Sequence, residues 1–347
     1  MRKLIIVELM TIKYFLGMSL IMLNISCNKY QVSDHCDGRK FFNPEKGHSF
    51  GDQIKWMYEI KTIDWPRWIE DIPQPAPPPA VSGGRVRVTY INQATMLIQV
   101  GGINILTDPI FSQKAGPVSW LGTKRVRKPG IDIDSLPKID VILISHNHYD
   151  HLDAKSLKKL ASKYQATVFT GLGNKKILQS FGFKKVIEMD WWDKHAINEG
   201  TGFVTFVPAR HSSGRGLFDK DKTLWGGFVI STANGDIYFA GDTGFGEFAN
   251  QIQSRFKKFS LAILPIGSYE KRWFMKSQHM NPDDAVRLHL MLNVEQSIGM
   301  HYATFNEHPE QAIDAHEKDL REALLIHNVD ASKFKVLGFG EGYEMDL

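Results

Sequence analysis

The chain has 347 residues, 43% of them hydrophobic and 23% charged, with 42 Lys and Arg against 38 Asp and Glu for a net charge of +4. That balance excludes a disordered chain and supplies apolar content for one large core or two modest ones, while so small a positive charge does not mark a nucleic-acid binder. The two cysteines, Cys27 and Cys36, are too few for a disulfide framework.

At the N-terminus, Arg2, Lys3 and Lys13 precede an apolar stretch from Tyr14 to Ile25 that is short for a membrane span and ends at Ser26 before Cys27. This pattern predicts a signal peptide over residues 1–27 with Cys27 as the lipidated residue of a bacterial lipoprotein, attached to a membrane of the cell envelope. The alternatives are an uncleaved anchor or a cytoplasmic protein with an apolar tail. Residues 28–84 form a second segment. Its Trp56, Tyr58, Trp65 and Trp68 either sit at a membrane interface or pack on the neighbouring domain. The proline-rich stretch from Pro73 to Ala80 is expected to run extended as a linker.

Regular patterning begins in the third segment, 85–347. Strand-like runs at Val86 to Tyr90, Met96 to Val100 and Ile103 to Leu106 are separated by Asn-Gln and Gly-Gly turns. Helical spacing appears at Ala154 to Tyr164, Asn174 to Ser180, Pro282 to Met291 and Glu310 to His327, with Asn281 as a start signal for the third. Strand-rich halves each followed by helices predict an α+β chain, an αββα sandwich of two mixed β-sheets between helical layers.

Directly after the apolar run Val141 to Ile144, His146, His148, Asp150 and His151 spell His-x-His-x-Asp-His. Buried without a cation, three imidazoles and a carboxylate this close would be a desolvated set of lone pairs; at a strand exit they can converge on metal. Three further ligand-type residues follow strand-like runs: His211 after Phe203 to Val207, Asp242 after Ile237 to Ala240, and His301 after Ile298 to Met300. Active sites of layered α/β proteins gather where strands give way to loops. Nitrogen donors mixed with carboxylate and lacking Cys suit zinc, so two Zn²⁺ are expected, another divalent metal being the alternative. His195, His289, His308, His316 and His327 follow no strand-like run and are expected to be ordinary.

On these residues the chain resembles the metallo-β-lactamase superfamily and, within it, the N-acyl-phosphatidylethanolamine-hydrolysing phospholipase D family. The carrying stretches are LTDPIFS (Leu106 to Ser112), ISHNHYDHLD (Ile144 to Asp153), DWW (Asp190 to Trp192), LWGG (Leu224 to Gly227), FAGDTG (Phe239 to Gly244) and PIGSYEKRWFMKSQHMNPDDAVRLH (Pro265 to His289). The His-rich motif identifies only the superfamily, whereas the Arg-Trp-Phe-Met-Lys stretch is far narrower. The similarity runs from about Arg85 to Phe305. It implies the metallo-β-lactamase fold and a division of ligands: His146, His148 and His211 on one metal, Asp150, His151 and His301 on the other, with Asp242 and a hydroxide bridging both. Arg210 to Gly214 departs from the family, whose vertebrate enzymes carry a bulkier residue after the ligand histidine.

The resemblance implies hydrolysis of N-acyl-phosphatidylethanolamine to N-acylethanolamine and phosphatidic acid by attack on phosphorus. Asp150 and His279 are then the catalytic candidates, with His279 near the phosphate or the leaving oxygen. Arg272, Trp273 and Lys276 are candidates for substrate contact, the cations for an anionic headgroup and the indole for an acyl chain or glycerol. Asp108 is a candidate for orienting a ligand imidazole. The expected partners are a phospholipid substrate and a membrane surface, with no nucleic acid; a homodimer is left open. Two other readings stand beside this one. The first is a lactonase or a different phosphodiesterase on the same scaffold. The second is a lipoprotein that binds metal or lipid without turnover, against which the complete ligand set argues.

Overall fold

The computed structural model of the protein describes residues 29–45, 47–59, 61–118, 120–197, 200, 202–306 and 310–347. The expected leader with Cys27 lies outside the described residues, as does His308. The chain divides into two compact units, one up to Phe42 and one from Asn43 to Leu347. In the first, isolated bridges join Ser33 to Cys36 and Cys36 to Phe41, and Cys36 and Phe41 are buried.

The second unit is built from strands and crossover helices. It opens with α1 (Phe50–Glu59), followed by β1 (Arg85–Asn92), β2 (Thr95–Val100), β3 (Ile103–Thr107), β4 (Lys114–Val118), β5 (Leu121–Lys124) and β6 (Val141–Ile144). Then come α2 (Ala154–Lys163), β7 (Thr167–Gly171), α3 (Lys175–Ser180), β8 (Val186–Met189), β9 (Lys194–Ile197), β10 (Gly202–Val207), β11 (Gly227–Ser231) and β12 (Asp236–Phe239). The rest is α4 (Phe248–Arg255), β13 (Phe259–Pro265), α5 (Arg272–Met275), α6 (Pro282–Met291), β14 (Val294–Met300), α7 (Ala315–Ile326), β15 (Phe334–Lys335) and β16 (Gly342–Asp346).

One sheet has the order β16-β1-β2-β3-β6-β7-β8 and the other β15-β14-β13-β12-β11-β10-β9, while β4 and β5 form a separate hairpin. Both large sheets are mixed. The first is antiparallel from β16 to β3 and parallel from β3 to β8; the second is antiparallel from β9 to β12 and parallel from β12 to β15. Parallel neighbours need crossovers that cover the sheet face, which explains why β6 reads as an unbroken Val-Ile-Leu-Ile run and is wholly buried.

Helix α2 shows the local logic. Asp153 caps it by accepting the Ser156 N–H at 3.2 Å, a contact that typically contributes about 1 kcal/mol. Its Leu157, Leu160 and Ala161 then pack on Ile142, Ile144 and Val168, each fully buried leucine adding roughly 1.5–3 kcal/mol over exposure. Helix α3 packs beside β8, and α6 packs on β13 and β14, with α4 and α7 against α6. The result is the expected α+β sandwich of two mixed sheets and helices.

Two elements differ from the sequence expectation. The last long helix begins at Ala315 rather than Glu310, because the Gln311 carbonyl accepts the Trp65 indole N–H at 2.7 Å and the Gln311 side chain accepts the Tyr269 N–H at 3.0 Å. The proline-rich stretch carries no regular structure but is pinned to the first sheet: Gln99 and Asn104 side-chain amides donate to Pro78 and Pro79 carbonyls at 2.7 and 2.8 Å. In the aromatic segment, Trp56 stacks on Phe274 with centroids 5.0 Å apart, whereas Tyr58 is 88% exposed. Among the described residues no helix is long and apolar enough to cross a membrane.

Candidate metal centre

Five strand exits converge. Asp108 follows β3, His146 follows β6, His211 follows β10, Asp242 follows β12 and His301 follows β14. The structure brings together every residue expected as a metal ligand, in two groups: His146, His148 and His211, and Asp150, His151, Asp242 and His301. Within each group the candidate donor atoms lie within 4.8 Å of one another.

In the first group, His148 Nδ1 lies 2.9 Å from His146 Nε2 and 3.2 Å from His211 Nε2. The outer nitrogens decide which atoms carry protons. His211 Nδ1 faces the Gln278 carbonyl at 2.9 Å, which can only accept, so the His211 N–H is there and its Nε2 lone pair points inward. His146 Nδ1 lies 2.9 Å from Ser145 Oγ, whose own hydroxyl donates to Asp108 at 2.6 Å; His146 therefore donates outward and also presents Nε2 as a lone pair. Two inward lone pairs then meet a single imidazole nitrogen, which carries at most one proton. Burial, with the neighbouring imidazoles adding to it, holds the pKa of His146 well below the usual range, and burial depresses His148 and brings His211 to about 3. This is a neutral donor set, each ring keeping a single N–H.

The second group has the opposite electrostatics. Burial opposes charge on His151 and His301, but Asp150 and Asp242 outweigh it, raising His151 well above its ordinary value and His301 to about 10. Burial likewise opposes the carboxylates, yet the same two imidazoles hold Asp150 and Asp242 well below the usual carboxylate range. His151 Nε2 lies 2.9 Å from Asp150 Oδ2 and 3.2 Å from Asp242 Oδ2; His301 Nε2 lies 3.2 and 3.1 Å from the same atoms. Asp242 Oδ2 is also 3.9 Å from His211 Nε2, so this carboxylate touches both groups. Its Oδ1 is buried with no hydrogen-bond partner among the described residues. Inward lone pairs on one side, and a shared carboxylate with an unsatisfied oxygen between, fit divalent cations.

Asp108 holds the place expected of it. Its Oδ2 accepts the His151 Nδ1–H at 2.7 Å and its Oδ1 accepts the Ser145 N–H at 2.7 Å, leaving His151 Nε2 to face Asp150 and Asp242. His279 is buried beside the cluster, its ring centroid 5.3 Å from that of His211 and 5.5 Å from that of His301, with Nδ1 3.8 Å from Asp242 Oδ2. The family model of the β-lactamase superfamily domain matches residues 103–302, a span that contains all of these side chains.

The chain belongs to the β-lactamase superfamily.

Among superfamily relatives, an N-acyl-phosphatidylethanolamine-hydrolyzing phospholipase D 1 from Caenorhabditis elegans is 38% identical over 226 residues, covering 62% of this chain and 64% of that protein. A mitochondrial N-acyl-phosphatidylethanolamine-hydrolyzing phospholipase D from Saccharomyces cerevisiae is 34% identical over 235 residues, covering 66% of this chain and 50% of that one. The chain thus matches less than two thirds of the length of either relative. Of solved structures, a metallo hydrolase from Ignicoccus hospitalis aligns with a TM-score of 0.57 at 22% identity, over 76% of this chain and 99% of the other. An isothiocyanate hydrolase from Delia radicum gut bacteria aligns at 0.59 and 20% identity, over 74% and 98%. These two share the fold.

Arg272, Trp273 and Lys276 are placed differently from the superfamily cluster. The Arg272 guanidinium pairs with Asp284 and donates to the His279 carbonyl at 2.9 Å, so it braces the His279 loop. Trp273 packs edge-on against His48 with Lys55 over its ring, and Lys276 is exposed. Ser212, at the departure from the family pattern, donates to the Gln278 side chain at 3.0 Å.

Two site-building residues escaped the sequence reading. Asn43 clamps the His211 backbone, its Nδ2 donating to the His211 carbonyl at 2.6 Å and its Oδ1 accepting the His211 N–H at 3.2 Å. Gln93 enters the cluster beside Asp150 and His301. Neither carries a sequence signal: Asn43 lies far upstream of any ligand, and Gln93 reads as half of an Asn-Gln turn.

Proposed function

We propose that the chain is a metal-dependent phosphodiesterase of phospholipase D type, holding two zinc ions and acting on N-acyl-phosphatidylethanolamine at a membrane surface. One observation carries the two-metal reading: Asp242 Oδ2 lies within 3.9 Å of imidazole nitrogens from both donor groups. The substrate class is supported by the names of the worm and yeast relatives.

In this reading His146, His148 and His211 would hold one cation and Asp150, His151 and His301 the other, with Asp242 available to both. Bound there, the pair supplies Lewis acidity toward a phosphoryl oxygen and a water of lowered pKa. The chain's own residues do the rest. Asp108 and the Gln278 carbonyl fix the imidazole tautomers that keep lone pairs facing inward. As the oxygen of water bonds to phosphorus and gives up a proton to solvent, the P–O bond to the N-acylethanolamine breaks, and His279, beside Asp242 and steadied through its carbonyl by Arg272, delivers a proton to that departing oxygen.

Isotope labelling tests this directly. Zinc-loaded protein is given a phospholipid panel in ¹⁸O-water and the products are read by mass spectrometry. The expected result is label in phosphatidic acid and none in the N-acylethanolamine. Label in the N-acylethanolamine would overturn attack at phosphorus. Turnover confined to esters or lactones, with label in a carboxylate, would assign the chain to another hydrolase of the superfamily.

A further inference from the structure

Gln93 occupies the turn between β1 and β2 with a left-handed backbone, φ 48°. It is tied twice to the loop that follows β14: its N–H donates to Thr304 Oγ1 at 2.9 Å, and its carbonyl accepts the His301 N–H at 2.7 Å. Those two bonds aim the side chain. Gln93 is 2% exposed, and its Nε2 lies 3.0 Å from Asp150 Oδ2 and 2.9 Å from His301 Nε2. The amide's orientation is set by Asp150, whose carboxylate accepts from the carboxamide nitrogen and would be opposed by its oxygen; the 2.9 Å approach of that nitrogen to His301 Nε2 then favours His301 Nε2 without a proton, as a bound cation would leave it.

We infer that Gln93 is a positioning residue for Asp150, and that its carboxamide sets the cation affinity of the Asp150, His151 and His301 half of the centre without being a ligand itself. Burying a carboxamide is unfavourable unless its polar atoms are bonded. The turn does not require it, because both loop ties run through backbone atoms that any residue would supply. What the side chain adds is an N–H against Asp150 Oδ2, which holds the carboxylate in one orientation. Groups that orient a metal ligand in this way typically change metal affinity by roughly 10- to 100-fold.

The inference rests on the two-cation reading above, and the test separates the two. Metal-free protein is titrated with Zn²⁺ against a chromophoric chelator, alongside Gln93→Met, which keeps length and volume but has no donor. A His301→Ala variant identifies which of two binding steps belongs to the carboxylate-rich half. In Gln93→Met that same step should weaken by roughly 10- to 100-fold while the other keeps its wild-type affinity. Gln93→Ala repeats the measurement if the methionine variant does not fold. A wild-type isotherm in the variant, or equal weakening of both steps as a merely structural lesion would give, overturns the role of Gln93. A wild-type protein without two steps overturns the two-cation reading instead.

Discussion

The two halves of the centre use the same residue type in opposite charge states. Around His146, His148 and His211 there is burial and other imidazoles, so the rings are neutral and their lone pairs are set by outward bonds to Ser145 and the Gln278 carbonyl. Around His151 and His301 the carboxylates of Asp150 and Asp242 reverse the balance, and the rings favour a proton over a lone pair. On the two-cation reading, a cation entering the first half would displace almost no protons, whereas in the second it would displace them, with the two carboxylates providing the charge that makes this favourable. The difference teaches that a histidine's neighbours, more than its spacing, decide whether it presents a lone pair or a proton.

The largest effect is expected from breaking the one residue that touches both halves. Asp242→Asn keeps shape but removes the shared charge, so both zinc content and phospholipid turnover should fall to background. Elemental analysis showing two retained ions in an active variant would dissolve the link between the halves. Next in size is His279→Ala. Because this ring stands beside the cluster rather than within either group of ligands proposed above, the variant should keep its metal yet lose turnover by roughly 10²- to 10⁴-fold. Undiminished turnover would leave His279 as packing.

A smaller perturbation addresses the neutral half alone. Asn43→Ala removes both contacts to the His211 backbone, each hydrogen bond worth about 0.5–1.5 kcal/mol, while touching nothing on Asp150, His151 or His301. The zinc-binding step of the three-histidine half should weaken about tenfold, with the other step unchanged. Equal weakening of both steps would show that the halves do not bind independently.

The clustering of the candidate ligands was legible in the sequence because each group follows a strand, and strand exits are written in apolar runs such as Val141 to Ile144. The sheets were legible for the same reason, since buried parallel strands leave unbroken apolar stretches. Residues that act on the centre from a distance in sequence were not. Asn43 reaches His211 across 168 positions and Gln93 reaches His301 across 208, through bonds that only the packed sandwich creates. Arg272 shows the converse: a cation in a diagnostic stretch looked suited to a headgroup, and the fold gives it Asp284 and the His279 carbonyl. Helices α1 and α4 and the β4–β5 hairpin were missed, although at 10 and 8 residues the two helices are longer than the 6-residue α3 that was legible.

A drift of stability with pH reads both halves at once in metal-free protein. His146, His148 and His211 have folded pKa values depressed below the ordinary 6.5, His211 to about 3. Below pH 6.5 the unfolded chain therefore takes up protons that the folded chain refuses, and stability falls as pH drops toward 3. Asp150 and Asp242, depressed below 3.8, contribute stability above that value that is lost as pH falls through their folded pKa values. His301 works in the other direction: raised from 6.5 to about 10, it contributes fully below 6.5 and loses its contribution as pH climbs toward 10. Thermal melts of chelator-treated protein should thus peak near pH 6.5 and decline on both sides. Zinc should flatten the alkaline decline, because a bound cation replaces the proton whose loss causes it. Melting temperatures of metal-free protein that stay level from pH about 5 to about 9 would mean that the two halves share one charge state, and the contrast between them would fail.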